Sequence, residues 1–102
     1  MAPTKLGPAE IDAKLGSLHG DWTGSPEKLH RRIAFADFPT AVEFVVRLAP
    51  RCEEMNHHPD LRIVWRNVDI ELSTHSEGGV TDLDTTLAGI VDEVAADLPK
   101  PD

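Results

Sequence analysis

Leu61-Arg62-Ile63-Val64-Trp65-Arg66-Asn67-Val68-Asp69-Ile70-Glu71-Leu72-Ser73 decides the architecture of this chain. Leu61, Ile63 and Trp65 alternate with polar or small neighbours, and Arg66-Asn67 supplies a turn. Val68, Ile70 and Leu72 then alternate with Asp69, Glu71 and Ser73. Period-two alternation on both sides of a turn reads as a hairpin with one dry and one wet face. A dry face must be covered, and the flanking segments carry the spacing of helices.

Upstream, the segment from Phe38 onward has helical spacing. Thr40 is placed to cap it and Phe38 to pack back. Val42, Val45, Ala49 and Cys52 form one apolar stripe, widened by Val46 and Leu48. Pro50 falls inside this stretch and predicts a kink or a break, since proline removes a backbone hydrogen bond. Downstream, Gly78-Gly79 ends the hairpin and Thr81-x-x-Asp84 resembles a capping box with Asp in place of Glu. A last helix follows, with Leu83, Leu87, Ile90, Val91, Val94 and Leu98 toward the core.

Further out, Ile33 and Phe35 alternate within His30 to Phe38 and read as a strand. Ile11, Leu15 and Leu18 suggest a short first helix over Pro8 to Gly16, and Gly20 and Gly24 bracket Trp22 in a turn-rich segment. Residues 1–7 read as a flexible lead-in, 8–98 as one domain, and 99–102 as a tail that closes the last helix and frays. The expected fold is an α+β two-layer sandwich, an antiparallel sheet with helices on one face.

Composition narrows the function. One domain of 102 residues, 40% hydrophobic, is an ordinary globular chain with a modest core. No apolar run approaches the roughly 20 residues that span a bilayer, and no secretory signal is evident. Cys52 is alone, so no intrachain disulfide can form, which suits a reducing cytoplasm. A net charge of −8 argues against binding nucleic acid or an anionic membrane.

The chemistry-bearing residues gather around the hairpin: Glu53-x-x-x-His57-His58-Pro59 before it, and Ser73-Thr74-His75 and Asp84 after it. Three of the five histidines lie here, and histidine moves protons near neutral pH. Pro59 forces His58 into an extended conformation, so His57 and His58 should point to opposite sides. The hairpin should bring residues 57–60 and 75 together. Histidines in a solvated loop and at an exposed strand end are the bland alternatives. Glu53 lies one helical turn before His57 and either orients an imidazole or is simply solvated. Asp84 suits a helix start. A zinc site is the rival chemistry, but adjacent histidines in an extended segment aim poorly at one ion. Cys52 on an apolar stripe reads as a small buried hydrophobe rather than a nucleophile.

The spacing Glu53-x-x-x-His57-His58-Pro59, Trp65, His75, Asp84 resembles the signature of the pterin-4a-carbinolamine dehydratases. Gly20-Asp21-Trp22, Ile33-Ala34-Phe35-Ala36-Asp37-Phe38 and Ala41-x-x-Phe44 also resemble that family, so the likeness covers most of 8–98. It implies the order α-β-β-α-β-β-α with four antiparallel strands, the missing strand lying around Trp22 to Lys28. It also implies a second helix running on to about Asn56 despite Pro50. The activity it implies is dehydration of a 4a-hydroxytetrahydropterin with no metal or organic cofactor. His57, His58 and His75 match the catalytic histidines. Glu53, Pro59, Trp65, Ser73, Thr74 and Asp84 are candidates for substrate binding or site support, with Trp65 as pocket wall. Asp60 and Glu77 are further candidates for contact with the pterin. The likeness further implies a homodimer or homotetramer, for which the last helix is a candidate interface. A non-catalytic protein-binding or assembly module is the alternative.

Overall fold

The computed structural model describes residues 3–102. The elements are α1 (Pro8–Leu15), β1 (Thr23–Gly24), β2 (Leu29–Ala34), α2 (Phe38–Met55), β3 (Asp60–Val64), β4 (Asn67–Leu72), a 3-10 turn (His75–Glu77) and α3 (Asp82–Ala96). The four strands form one antiparallel sheet in the order β1-β2-β4-β3. The expected α-β-β-α-β-β-α order and antiparallel sheet are therefore present, with a two-residue β1 as the strand that the hydropathy pattern hid.

The dry face is built by register. Leu29 stands opposite Leu72, and Ile33 opposite Val68. These four side chains and Ile70 are buried against Phe44 and Leu48 of α2 and Leu87 and Val91 of α3. The other face is charged: His30 and Arg32 both bond Asp69, at 3.0 and 2.9 Å, and Lys28 bonds Glu71 at 2.9 Å. Arg31 is the polar exception in the dry layer. Its guanidinium meets Asp92 of α3 at 2.5 Å, and Asp92 also accepts from the Trp22 indole at 2.8 Å.

Several details differ from the sequence expectation. Asp37, not Thr40, caps α2; its carboxylate accepts from the Thr40 backbone N–H at 2.9 Å. Pro39 fits the first helical turn, where its fixed φ is an advantage, so the helix starts earlier. The buried stripe is Ala41, Phe44, Leu48 and Cys52, whereas Val42 and Val46 are 37% and 59% exposed. Phe44, with no exposure, turns that face to the core. The helix runs through Pro50 without a break. Pro50 lies on the solvent side, where the bond it cannot make is not missed by the core. The hairpin turns at Trp65-Arg66, one residue early, because Val64 pairs with Asn67. Trp65 thus leaves the Leu61–Ile63 face and is 63% exposed.

The ends are tied down more than composition suggests. Leu6 is buried, its N–H bonds the Val80 carbonyl at 2.8 Å, and Lys5 bridges Thr81. Met1 and Ala2, also read as lead-in, lie outside the described residues. At the other end, Ala36 donates to the Pro99 carbonyl at 3.0 Å, and the Lys100 ammonium bonds the carbonyls of Ala95 and Leu98. The tail is a clasp on α3, not a frayed end.

Candidate functional site

The site begins where α2 stops. Asn56 adopts the left-handed conformation (φ 50°, ψ 43°), and its N–H bonds the Cys52 and Glu53 carbonyls. The His57 N–H also bonds Cys52, at 3.1 Å. This reversal, tolerated well by Asn, turns His57 inward to 8% exposure. His58 follows in extended backbone before Pro59 and points outward, its side chain 56% exposed.

The hairpin then returns to the same place. Asp60 at the start of β3 pairs with Glu71 near the end of β4, which brings Ser73 to Ser76 beside residues 56–60. The loop after β4 closes on itself: Thr74 and Gly79 exchange backbone bonds of 2.9 and 3.3 Å around the 3-10 turn. Gly79 packs against the Pro26 carbonyl so closely that a Cβ would lie 2.3 Å from that oxygen. The loop carrying His75 is therefore clamped from behind. The resulting cleft, about 380 Å³, is lined by Asn56, His57, His58, Pro59, Asp60, Ser73, Thr74, His75 and Ser76. Beyond His58 and Pro59 lies an apolar hollow of about 430 Å³, formed by Val45, Leu48, Ala49, Cys52 and Leu61.

The three histidines stand in different environments. His57 Nε2 lies 2.6 Å from Asp84 Oδ1, and Asp84 has no solvent exposure. Asp84 Oδ2 accepts from Thr74 Oγ1 at 2.8 Å and from the Thr81 N–H at 2.9 Å. His58 Nε2 lies 2.5 Å from Glu53 Oε2 in a solvent-exposed pair, a setting where ion pairs contribute little to stability. His75 is exposed and its ring has no hydrogen-bond partner among the described residues. Within its own chain, one histidine is held by a buried carboxylate, one by a surface carboxylate, and one by none.

The remaining candidates divide. Pro59 and Ser73 line the cleft, and Ser73 Oγ donates to the Glu27 carbonyl at 2.8 Å. Thr74 lines it too, but its hydroxyl is turned back to Asp84. Asp60 lines the cleft, whereas Glu77 does not. Trp65 stands at the far end of β3, about 17 Å away at the usual strand rise, so it is no wall of this cleft. The Arg66 guanidinium lies 4.2 Å from the centre of its ring. Burial, and then the nearby Glu53, push the Cys52 thiol above its ordinary range, the opposite of what a nucleophile needs. No three His, Cys, Asp or Glu among the described residues converge as a metal site. Thr81 and Asn56 also belong to the arrangement, and Asn56 carries no motif of its own. The capping box was the only signal for Thr81.

The family model described as pterin 4 alpha carbinolamine dehydratase matches residues 4–94. This chain belongs to that family. It is 42% identical over 91 residues to a provisionally named pterin-4-alpha-carbinolamine dehydratase of Roseiflexus sp. (strain RS-1), covering 89% of this chain and 97% of that one. A dehydratase relative from Sulfolobus acidocaldarius, named in the same way, is 43% identical over 90 residues, covering 88% and 98%. Among solved structures, a transcriptional coactivator/pterin dehydratase from Brucella melitensis superposes with a TM-score of 0.85 at 34% identity, covering 90% and 99%. A pterin dehydratase-like protein described as a RuBisCO assembly factor in the alpha-carboxysome superposes with a TM-score of 0.59 at 28% identity, covering 72% and 86%. The dehydratase fold is thus shared by proteins whose descriptions name quite different tasks.

Proposed function

We propose that this chain dehydrates a 4a-hydroxytetrahydropterin to the quinonoid dihydropterin, recycling the pterin of an aromatic amino-acid hydroxylase. The observation that carries this reading is the convergence of His57, His58 and His75 on one cleft, with His57 held by the buried Asp84.

The reaction breaks the C4a–O bond and removes the proton on N5, so it needs an acceptor at N5 and a donor at the departing hydroxyl. His57, with Asp84 behind it, takes the N5 proton, and the resulting imidazolium is stabilised by the carboxylate. His75, open to the cleft, delivers a proton to the hydroxyl, which leaves as water. Exchange with solvent resets both rings. Acid–base catalysis of this kind contributes roughly 10²–10⁴-fold, enough for a reaction that already proceeds unaided and needs neither metal nor organic cofactor. His58, braced by Glu53, borders the pocket, and Pro59 and Ser73 shape its floor. The single, buried cysteine suits a reducing cytoplasm, and no helix among the described residues is long and apolar enough to cross a membrane.

The test is the rate of dehydration of enzymatically generated 4a-hydroxytetrahydropterin, followed by ultraviolet absorbance. His57→Ala and His75→Ala should each lose at least a hundredfold of the acceleration. Full activity in both variants sinks this reading.

A second reading, a non-catalytic binding or assembly module, draws support from the descriptions of the two structural relatives as a coactivator and an assembly factor. Folded protein that leaves the dehydration rate unchanged favours it. Self-association as a dimer or tetramer fits either reading. Leu87, Ala88 and Val91 of α3 are fully buried within one chain, so the wide apolar surface of that helix serves the core. The exposed apolar residues Phe38, Val42 and Val46 lie on α2, which is the better place for a second copy.

A further inference from the structure

Two buried hydroxyls stand behind His57. Thr81 has no solvent exposure and Thr74 has 5%. Thr74 Oγ1 lies 2.8 Å from Asp84 Oδ2 and 2.7 Å from Thr81 Oγ1. Thr81 Oγ1 also accepts from the Leu83 N–H, at 3.2 Å.

A hydroxyl has one hydrogen to give. The Asp84 carboxylate only accepts, so the Thr74 hydrogen goes to Oδ2. Thr81 must then donate to Thr74, and its oxygen is left to accept from Leu83. The direction of the chain is forced: Leu83 N–H to Thr81, Thr81 to Thr74, Thr74 to Asp84. It starts at the first turn of α3, the positive end of that helix, and ends on a carboxylate. Aligned hydrogen bonds of this kind polarise one another. With Oδ2 filled by Thr74 and the Thr81 N–H, Oδ1 is left to His57 Nε2.

We infer that Thr74 and Thr81 are positioning residues, whose directed hydroxyl relay orients the Asp84 carboxylate and so fixes His57 as the Nε2–H tautomer. Nδ1 is then the ring's acceptor, available to the substrate. This last clause rests on the dehydratase reading; the tautomer does not. Thr81 already has a task as the cap of α3, but Thr74 has none, so Thr74 separates a relay from a cap.

Thr74→Val keeps the shape and removes the hydroxyl, while Thr81 still caps through Leu83. Thr74→Ser restores the hydroxyl. The readouts are the ¹⁵N shifts of the His57 ring in ligand-free protein, by long-range proton–nitrogen NMR, and kcat and KM for dehydration. The unaltered protein and Thr74→Ser should show a protonated Nε2 and a bare Nδ1. Thr74→Val should move both nitrogens toward a tautomer average, and kcat should fall roughly tenfold, as for loss of a bond to a charged group, with KM unchanged. A folded Thr74→Val with the original tautomer and kcat overturns the inference, and so does a shifted tautomer with unchanged kcat. An Nδ1–H tautomer in the unaltered protein overturns it without any variant. If that protein does not accelerate dehydration but its tautomer still responds to Thr74→Val, the relay stands and the dehydratase reading falls.

Discussion

Asp84 shows how much one side chain can carry. Its carboxylate accepts the Thr81 N–H that completes the capping box of α3, accepts the Thr74 hydroxyl, and faces His57 Nε2. Replacing it with Ala strands three buried donors at once. Each buried donor left without its acceptor typically costs about 1–3 kcal/mol. Asp84→Ala should therefore lower the free energy of unfolding by about 3 kcal/mol or more in urea titration; a change below about 1 kcal/mol contradicts this account. Thr81-x-x-Asp84 was readable as a helix start because caps have local spacing. Its second task was not readable, because that depends on where the left-handed Asn56 sends His57, 27 residues away. The opposed directions of His57 and His58 were legible, since a proline dictates the backbone before it. Trp65 was misplaced by one step of register, which in a strand changes the face and at a turn changes the environment altogether.

At the scale of elements, α2 has two characters. Ala41, Phe44, Leu48 and Cys52 close the core, while Phe38, Val42 and Val46, spaced four apart, form an apolar stripe in solvent. Hydropathy alone could not sort these residues: Val42 and Val46 look like core, and only the bulk of Phe44 decides which side faces the sheet. If copies meet at this stripe, Val46→Glu should leave the unfolding midpoint of the monomer nearly unchanged, as exposed substitutions do within about 0.5 kcal/mol, while reducing the mass seen by light scattering. Unchanged oligomeric mass in that variant would move the contact elsewhere. The passage of α2 through Pro50 was another open point. It resolves because the proline sits on the outer face, where a lost backbone bond does not reach the core. The hairpin was the most legible element, as alternation over two adjacent strands has few other readings, and it carried with it the convergence of residues 57–60 with 75. The short β1 was the least legible, because two residues carry no periodicity.

Across the whole molecule, the sheet separates two ends. The histidine cleft lies at the open end of the β3–β4 hairpin, and the Trp65-Arg66 turn lies at the other. The N-terminal segment braces the first of these, through the pairing of Leu6 with Val80 beside Thr81, whereas Pro99 meets Ala36 on the side of the second. The protein has no tyrosine and two tryptophans, so its intrinsic emission comes from Trp22 and Trp65 alone. Trp22 is 5% exposed with its indole N–H on Asp92, whereas Trp65 is 63% exposed. An aqueous quencher such as iodide should therefore extinguish one population of the native signal and spare the other, and Trp65→Phe should remove the quenchable part. A uniform response of both rings contradicts their placement. The two indoles give the molecule a pair of built-in optical channels: one reports whether the fold is intact, and the other what approaches the tip farthest from the histidines.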